Sequence, residues 1–183
     1  KTIIECLKLR EYSLHEKIIN TKELTGIPQN RERIYIVCIT KSIEKHKKFS
    51  FPNKNVKTKK IKSLILKNYD SSLIYNDSFK HFETLKKEIR SEKTIYQWRR
   101  KYIRENKNNV CPTLTANMGT GGHNIPIIKQ GSVIRKLSPT ECFLFQGFPK
   151  KFKLPNIAKS HLYKQSGNSV SVPVIRLLAK EIK

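Results

Sequence analysis

Carboxylates are scarce in this 183-residue chain: 14 Asp and Glu stand against 38 Lys and Arg, a formal charge of +24. Such an excess repels itself in a compact state and attracts polyanions, so nucleic acid leads the partner classes. An AT-rich genome would also supply lysines, but it would not decide where they cluster. Long apolar runs are missing too. None approaches the ~20 residues that span a bilayer, and the first residues carry no signal-peptide pattern, so no membrane partner is expected. The four cysteines, Cys6, Cys38, Cys111 and Cys142, contain no Cys-x-x-Cys pair. Neither a metal site nor a disulfide framework is expected, and an intracellular, reducing location fits. No cysteine follows a proline; Cys111-Pro112 has the reverse order. All four thiols are read as buried small hydrophobes, and none is assigned to catalysis.

The residues that are present give a mixed pattern. Thr2 to Leu9 reads as the end of a helix. Tyr12 to Ile19 and Arg33 to Ile39 are β-branched and aromatic runs that predict strands, separated by a loop at Gly26 and Pro28. Residues 44–62 are lysine-rich and suggest a boundary, and residues 67–93 give no firm assignment. Short strands are expected between Thr94 and Val133. Ser138-Pro-Thr-Glu141 predicts a helix start, with Ser138 as N-cap, Pro139 at the first helical position and Glu141 closing a capping box. A closing helix is expected from Ser171 to Lys183, with Val174, Leu177, Leu178 and Ile182 on one side.

Three motifs carry the functional signal: Gly26-Ile-Pro-Gln-Asn-Arg-Glu-Arg-Ile-Tyr35, Arg135-Lys-Leu-Ser-Pro-Thr-Glu-Cys-Phe-Leu-Phe-Gln-Gly-Phe-Pro149 and Tyr163-Lys-Gln-Ser-Gly-Asn-Ser-Val-Ser-Val-Pro-Val174. In this order, with a long variable stretch between the first two, the chain resembles the carboxy-terminal half of DNA cytosine-5 methyltransferases. The family's glycine-rich cofactor loop, its Pro-Cys nucleophile motif and its Glu-Asn-Val motif precede this region and do not occur in these 183 residues. The resemblance implies an α/β fold: part of a Rossmann-like methyltransferase domain, at residues 1–45 and 160–183, bracketing a smaller mixed, mostly β target-recognition domain at 46–159. It implies methyl transfer from S-adenosylmethionine to a cytosine flipped out of duplex DNA. The missing amino-terminal catalytic half, or a separate subunit, would be a partner alongside double-stranded DNA, and this chain alone would be inactive.

The resemblance also assigns roles. Arg33 would hydrogen-bond the flipped cytosine, a task that suits a permanently charged planar donor. Arg31 would support the site or bind phosphate, and Gln29 would organise the loop. Asn168, Ser169 and Val170 would line the methyl-donor pocket. In the 135–149 block, Phe143-Leu-Phe145 replaces a more polar run common in relatives, which implies either deeper burial or packing on a partner subunit. Between the motifs, Tyr96 to Arg104 alternates cations with aromatics, and Arg99 and Arg100 are expected at phosphate. Thr113 resembles a phosphate-binding threonine of the family. Asn117, Thr120, Gly121, Gly122, His123 and Asn124 form a glycine-rich loop that would approach a groove and read bases. Two other readings stay open: a non-enzymatic, sequence-specific DNA-binding module, and a fragment of an RNA cytosine methyltransferase.

Overall fold

A computed structural model of the chain describes residues 2–8, 12–44, 48–99, 102–120 and 124–182. Helix α1 (Thr2–Lys8) precedes strand β1 (Tyr12–Asn20), a short helix α2 (Thr21–Thr25), strand β2 (Glu32–Thr40) and a single turn α3 (Lys41–Glu44). Next come α4 (Phe82–Glu88) and the strands β3 (Tyr96–Arg99), β4 (Tyr102–Glu105), β5 (Ile127–Gln130) and β6 (Val133–Lys136). Helices α5 (Pro139–Phe145), α6 (Lys159–Asn168) and α7 (Val172–Ile182) close the chain.

The two expected strands pair antiparallel over their whole length, with Tyr12 opposite Thr40 and Asn20 opposite Glu32. Directly opposed residues share a face, so the ribbon has two distinct sides. One side presents Ile19, Tyr35, Val37 and Ile39, which pack with Leu24, Phe49 and the α7 residues Val174 and Leu178. The other side is open: the opposed pair Ile18 and Ile34 is 69% and 58% exposed. The loop expected around Gly26 is partly helical, as α2. Asn20 caps α2 by accepting from the Lys22 amide, and Gly26 ends it at φ 71°, donating its N–H to the Lys22 carbonyl. A β-carbon at Gly26 would also lie 2.8 Å from the Lys57 carbonyl oxygen.

The second sheet has the order β4-β3-β5-β6 and is antiparallel throughout. Period-two alternation gives it two cores. Tyr96, Ile127 and Ile134 pack with Leu85 and Ile89, from α4 and its C-cap. On the other side Ile95 and Ile128 join Cys111, Leu114, Met118, Cys142, Phe145 and Tyr163. The region expected to be mostly β is mixed: each strand has four residues, and 3-10 turns at Ile61–Leu64, Ser71–Leu73, Lys107–Asn109 and Ala116–Gly119 join α4 and α5.

Helix α5 starts as predicted. The Ser138 hydroxyl accepts from the Glu141 amide at 3.2 Å, and Glu141 Oε2 accepts from the Ser138 amide at 2.7 Å. Glu141 also holds Arg135 in a buried ion pair, at 2.7 and 2.9 Å, and accepts from the Leu66 amide at 2.9 Å. Gln130 and the Tyr69 ring complete the Arg135 environment. Phe143, Leu144 and Phe145 are all buried within this chain, which decides between the two expectations for that run. Two expectations fail. Ile182 is 49% exposed because α7 buries only Val174 and Leu178, with Leu177 partly covered. Cys6 is exposed on α1 instead of packed, while Cys38 is half-buried and Cys111 and Cys142 are buried.

Candidate functional site

The loop after α2 is held by backbone bonds and by the side chains of Asn20, Thr25 and Thr113. The Cys111 amide donates to the Pro28 carbonyl at 2.7 Å and the Asn30 amide donates to the Cys111 carbonyl at 2.8 Å, a parallel bridge between distant segments. Gln29 is fully buried there, and both ends of its side-chain amide are without a hydrogen-bond partner among the described residues. Thr113 Oγ1 donates to the Asn30 carbonyl at 2.7 Å. Its one proton is thereby committed, and only acceptor lone pairs remain.

Arg31 follows and is only 7% exposed. Its guanidinium donates to the carbonyls of Leu114 at 3.0 Å, Ser169 at 2.8 Å and Gly167 at 3.5 Å. Burial lowers its pKa, and the charge of Arg33 adds to that. A planar fork with several fixed donors suits this three-way clasp. All of these donors go to main chain, which leaves the buried guanidinium little surface for a phosphate. The clasp requires close approach by α6. A β-carbon on Gly167 would lie 2.1 Å from the Thr115 carbonyl carbon, so any larger residue forces the two segments apart. This also explains why the Gln-Ser-Gly-Asn stretch is helical: tertiary contact with residues 115–116 overrides the low helix propensity of glycine.

Arg33 differs from Arg31 in exposure and in hydrogen bonding. It is exposed at the start of β2, opposite Ile19, and its Nη1 donates to the neighbouring Glu32 carbonyl at 2.6 Å. Its guanidinium is free to meet a ligand without loss of tertiary structure.

A groove of about 730 Å³ runs between this loop and the β3–β4 hairpin. Lys22, Asn30 and Thr113 line one part, and Gln97, Arg99, Tyr102, Arg104 and Lys107 another. Arg99 opposes Tyr102 and Gln97 opposes Arg104, so these four side chains share one face of the hairpin. Tyr102 is 61% exposed. The expected cation–aromatic alternation thus splits by face: Arg99, Tyr102 and Arg104 line the groove, whereas Tyr96 is core and Trp98 packs on the opposite side. Lys22 and Lys107 carried no sequence signal beyond charge. Arg100, Gly121, Gly122 and His123 lie outside the described residues. Asn117, Thr120 and Asn124 do not line the groove; the side chains of Thr120 and Asn124 both donate to the Asn117 carbonyl, closing a local turn.

The end of α6 presents Asn168 to solvent. Ser169 Oγ donates to the Ser166 carbonyl at 2.7 Å, and Val170 is 52% exposed. An exposed amide beside an exposed apolar side chain fits one wall of a pocket for a nucleoside-bearing ligand, and it cannot enclose one. The buried thiols do not suit nucleophilic work: burial pushes Cys111 and Cys142 well above the ordinary range, so the thiolate is disfavoured.

The C-5 cytosine-specific DNA methylase family model matches residues 1–183, and the chain belongs to that family. It is 52% identical over 185 residues to the type II methyltransferase M.Bsp6I of Bacillus sp. (strain RFL6), covering 100% of this chain and 58% of that protein. Identity to the type II methyltransferase M.SsoII of Shigella sonnei is 34% over 174 residues, covering 93% and 44%. Among solved structures, the Entamoeba histolytica methyltransferase EhMeth aligns with a TM-score of 0.67 at 18% identity, over 99% of this chain and 56% of that one. A Spodoptera frugiperda DNMT2 variant aligns with a TM-score of 0.68 at 17% identity, over 98% and 60%. These two likenesses show a methyltransferase fold. The chain therefore spans 58% and 44% of the lengths of the two curated relatives. No described helix is long and apolar enough to cross a membrane.

Proposed function

We propose that this chain is the recognition half, or recognition subunit, of a DNA cytosine-5 methyltransferase. The observation that carries this reading is the Arg31 clasp, which ties the first motif to Leu114 of the recognition region and to Gly167 and Ser169 of the third motif. Three segments far apart in sequence thereby meet beside a cationic groove, with Arg33 left exposed. In this reading the groove holds duplex DNA, with Arg99, Arg104, Lys107 and Lys22 at phosphates. Arg33 donates to the flipped cytosine, and Gln29 and Arg31 fix the loop that carries it. Bound S-adenosylmethionine supplies the methyl group, while Asn168, Ser169 and Val170 offer one wall of its pocket. In this reading β1 and β2 belong to a Rossmann-like sheet, and the exposed Ile18–Ile34 face is covered by another layer of that domain. The nucleophile comes from outside these 183 residues.

Two outcomes follow for binding. DNA affinity should fall steeply with salt, because each neutralised phosphate releases counterions; the log–log slope is about −0.9 per contact, so four groove cations predict roughly −3.6. Fluorescence anisotropy across a salt series measures it, and a flat profile would assign the net charge to composition alone. Sequence choice should reside between Thr94 and Asn124. Replacing that segment with its counterpart from a methyltransferase of known target should transfer the target, read by protection of plasmid DNA against cognate endonucleases. An active chimera that kept its original target would place recognition elsewhere.

A further inference from the structure

The reverse face of the β3–β4 hairpin holds a second cleft, on the opposite side of β3 from Gln97 and Arg99. It measures about 420 Å³, and the rings of Tyr75, Phe79, His81 and Trp98 are among its walls. Residues beside β6 shape it: the Tyr75 amide donates to the Ile134 carbonyl at 2.9 Å, and Ile74 bridges Arg135, so the 71–79 segment follows the sheet edge. Tyr75 and Phe79 have ring centroids 4.8 Å apart, Phe79 meets Trp98 edge-on at 6.0 Å, and the His81 ring lies 5.0 Å from Trp98, tilted by 32°. An aromatic cluster is ordinarily core. Here Tyr75, Phe79 and Trp98 are only half-buried and His81 is exposed, so the rings border an opening.

Lys136 lines the same cleft, with Nζ 5.3 Å from the Tyr75 ring centroid. Half-buried, it forms no ion pair among the described residues, and burial lowers its pKa. A partly desolvated cation without a carboxylate is a favourable place for an anionic group. The side-chain NH2 of Asn76, whose Oδ1 already accepts from the Ser78 amide and hydroxyl, adds a donor at the rim. Flat rings, a cation and an amide within a few hundred cubic ångströms match the recognition chemistry of an unpaired nucleotide.

We infer that this cleft binds a single unpaired nucleotide, its base stacking against the His81–Trp98 pair and its phosphate meeting Lys136. The site is separate from the groove proposed for duplex DNA and does not depend on that proposal. The same chemistry could come from a free mononucleotide or from the unpaired end of a DNA strand.

Trp98 is the single tryptophan of the chain, so its fluorescence reports on this cleft alone. Titrating the 183-residue chain with deoxyadenosine 5′-monophosphate, excited at the red edge of indole absorption, should give saturable quenching. Deoxyadenosine should bind about tenfold more weakly, the size of one charge-assisted contact. Lys136→Met, which keeps the apolar stem, should make the two ligands equal, and His81→Ala, at an exposed position, should weaken both. A 5′-phosphorylated single strand that competes with the mononucleotide identifies a strand end as ligand; failure to compete identifies the free nucleotide, and either result upholds the site. No saturable quenching at millimolar mononucleotide would overturn the inference. So would an unchanged preference for the phosphate in a Lys136→Met chain with native circular dichroism.

Discussion

Arg33→Ala should lower single-turnover methyl transfer on the order of 10²–10³-fold once the chain is combined with a polypeptide carrying the Pro-Cys motif. DNA affinity should change far less. The expectation follows from position: Arg33 is exposed, and its one described hydrogen bond runs to the adjacent Glu32 carbonyl, so the substitution leaves the fold intact. Lysine should rescue poorly, because an ammonium lacks the planar fork that presents two directed donors to one base edge. Arg31→Ala is the informative contrast. It removes the clasp on Leu114, Gly167 and Ser169 and should cost stability as well as rate. An unchanged single-turnover rate in Arg33→Ala would remove the base contact from this residue.

The largest effect on stability is expected at Glu141. Both Glu141 and Arg135 are fully buried, and the carboxylate accepts from the Arg135 guanidinium and from the Leu66 and Ser138 amides. Glu141→Ala leaves an uncompensated guanidinium and unmade backbone bonds, which costs about 3–5 kcal/mol when a buried pair is broken from one side. That is a large share of the ~5–15 kcal/mol that holds a typical domain. Urea denaturation followed by circular dichroism measures it. The double replacement Arg135→Met with Glu141→Leu should recover much of the loss, because no charge is then left buried. A loss below about 1 kcal/mol, typical of an exposed pair, would mean that Gln130 and Tyr69 suffice to hold Arg135.

Local signals were legible in the sequence and tertiary ones were not. The start of α5 needs only Ser138, Pro139 and Glu141, all within one turn, and it forms as read. Strands β1 and β2 announce themselves through β-branched residues, and their pairing follows. Arg31 and Arg33 look alike in sequence, two cations flanking Glu32. What separates them is that Arg31 meets carbonyls 83 and 138 residues away. Helix α2 had its signals in Asn20 and Gly26, but five residues are too few to show a helical period. Thr120 and Asn124 have the composition of base readers, but composition does not show that their side chains donate to the Asn117 carbonyl. The face split of the hairpin could have been anticipated, because strict alternation from Tyr96 to Arg99 sends Tyr96 and Trp98 one way and Gln97 and Arg99 the other.

Whether this chain supplies recognition without the nucleophile is settled by a complementation assay. Transfer of a labelled methyl group from S-adenosylmethionine to duplex DNA would be measured for three samples: the chain alone, a polypeptide carrying the glycine-rich loop and the Pro-Cys motif alone, and the two mixed. Transfer by the mixture only is the predicted result, with the target set by the present chain. Transfer by this chain alone, in material shown by mass spectrometry to be free of other methyltransferases, would contradict it.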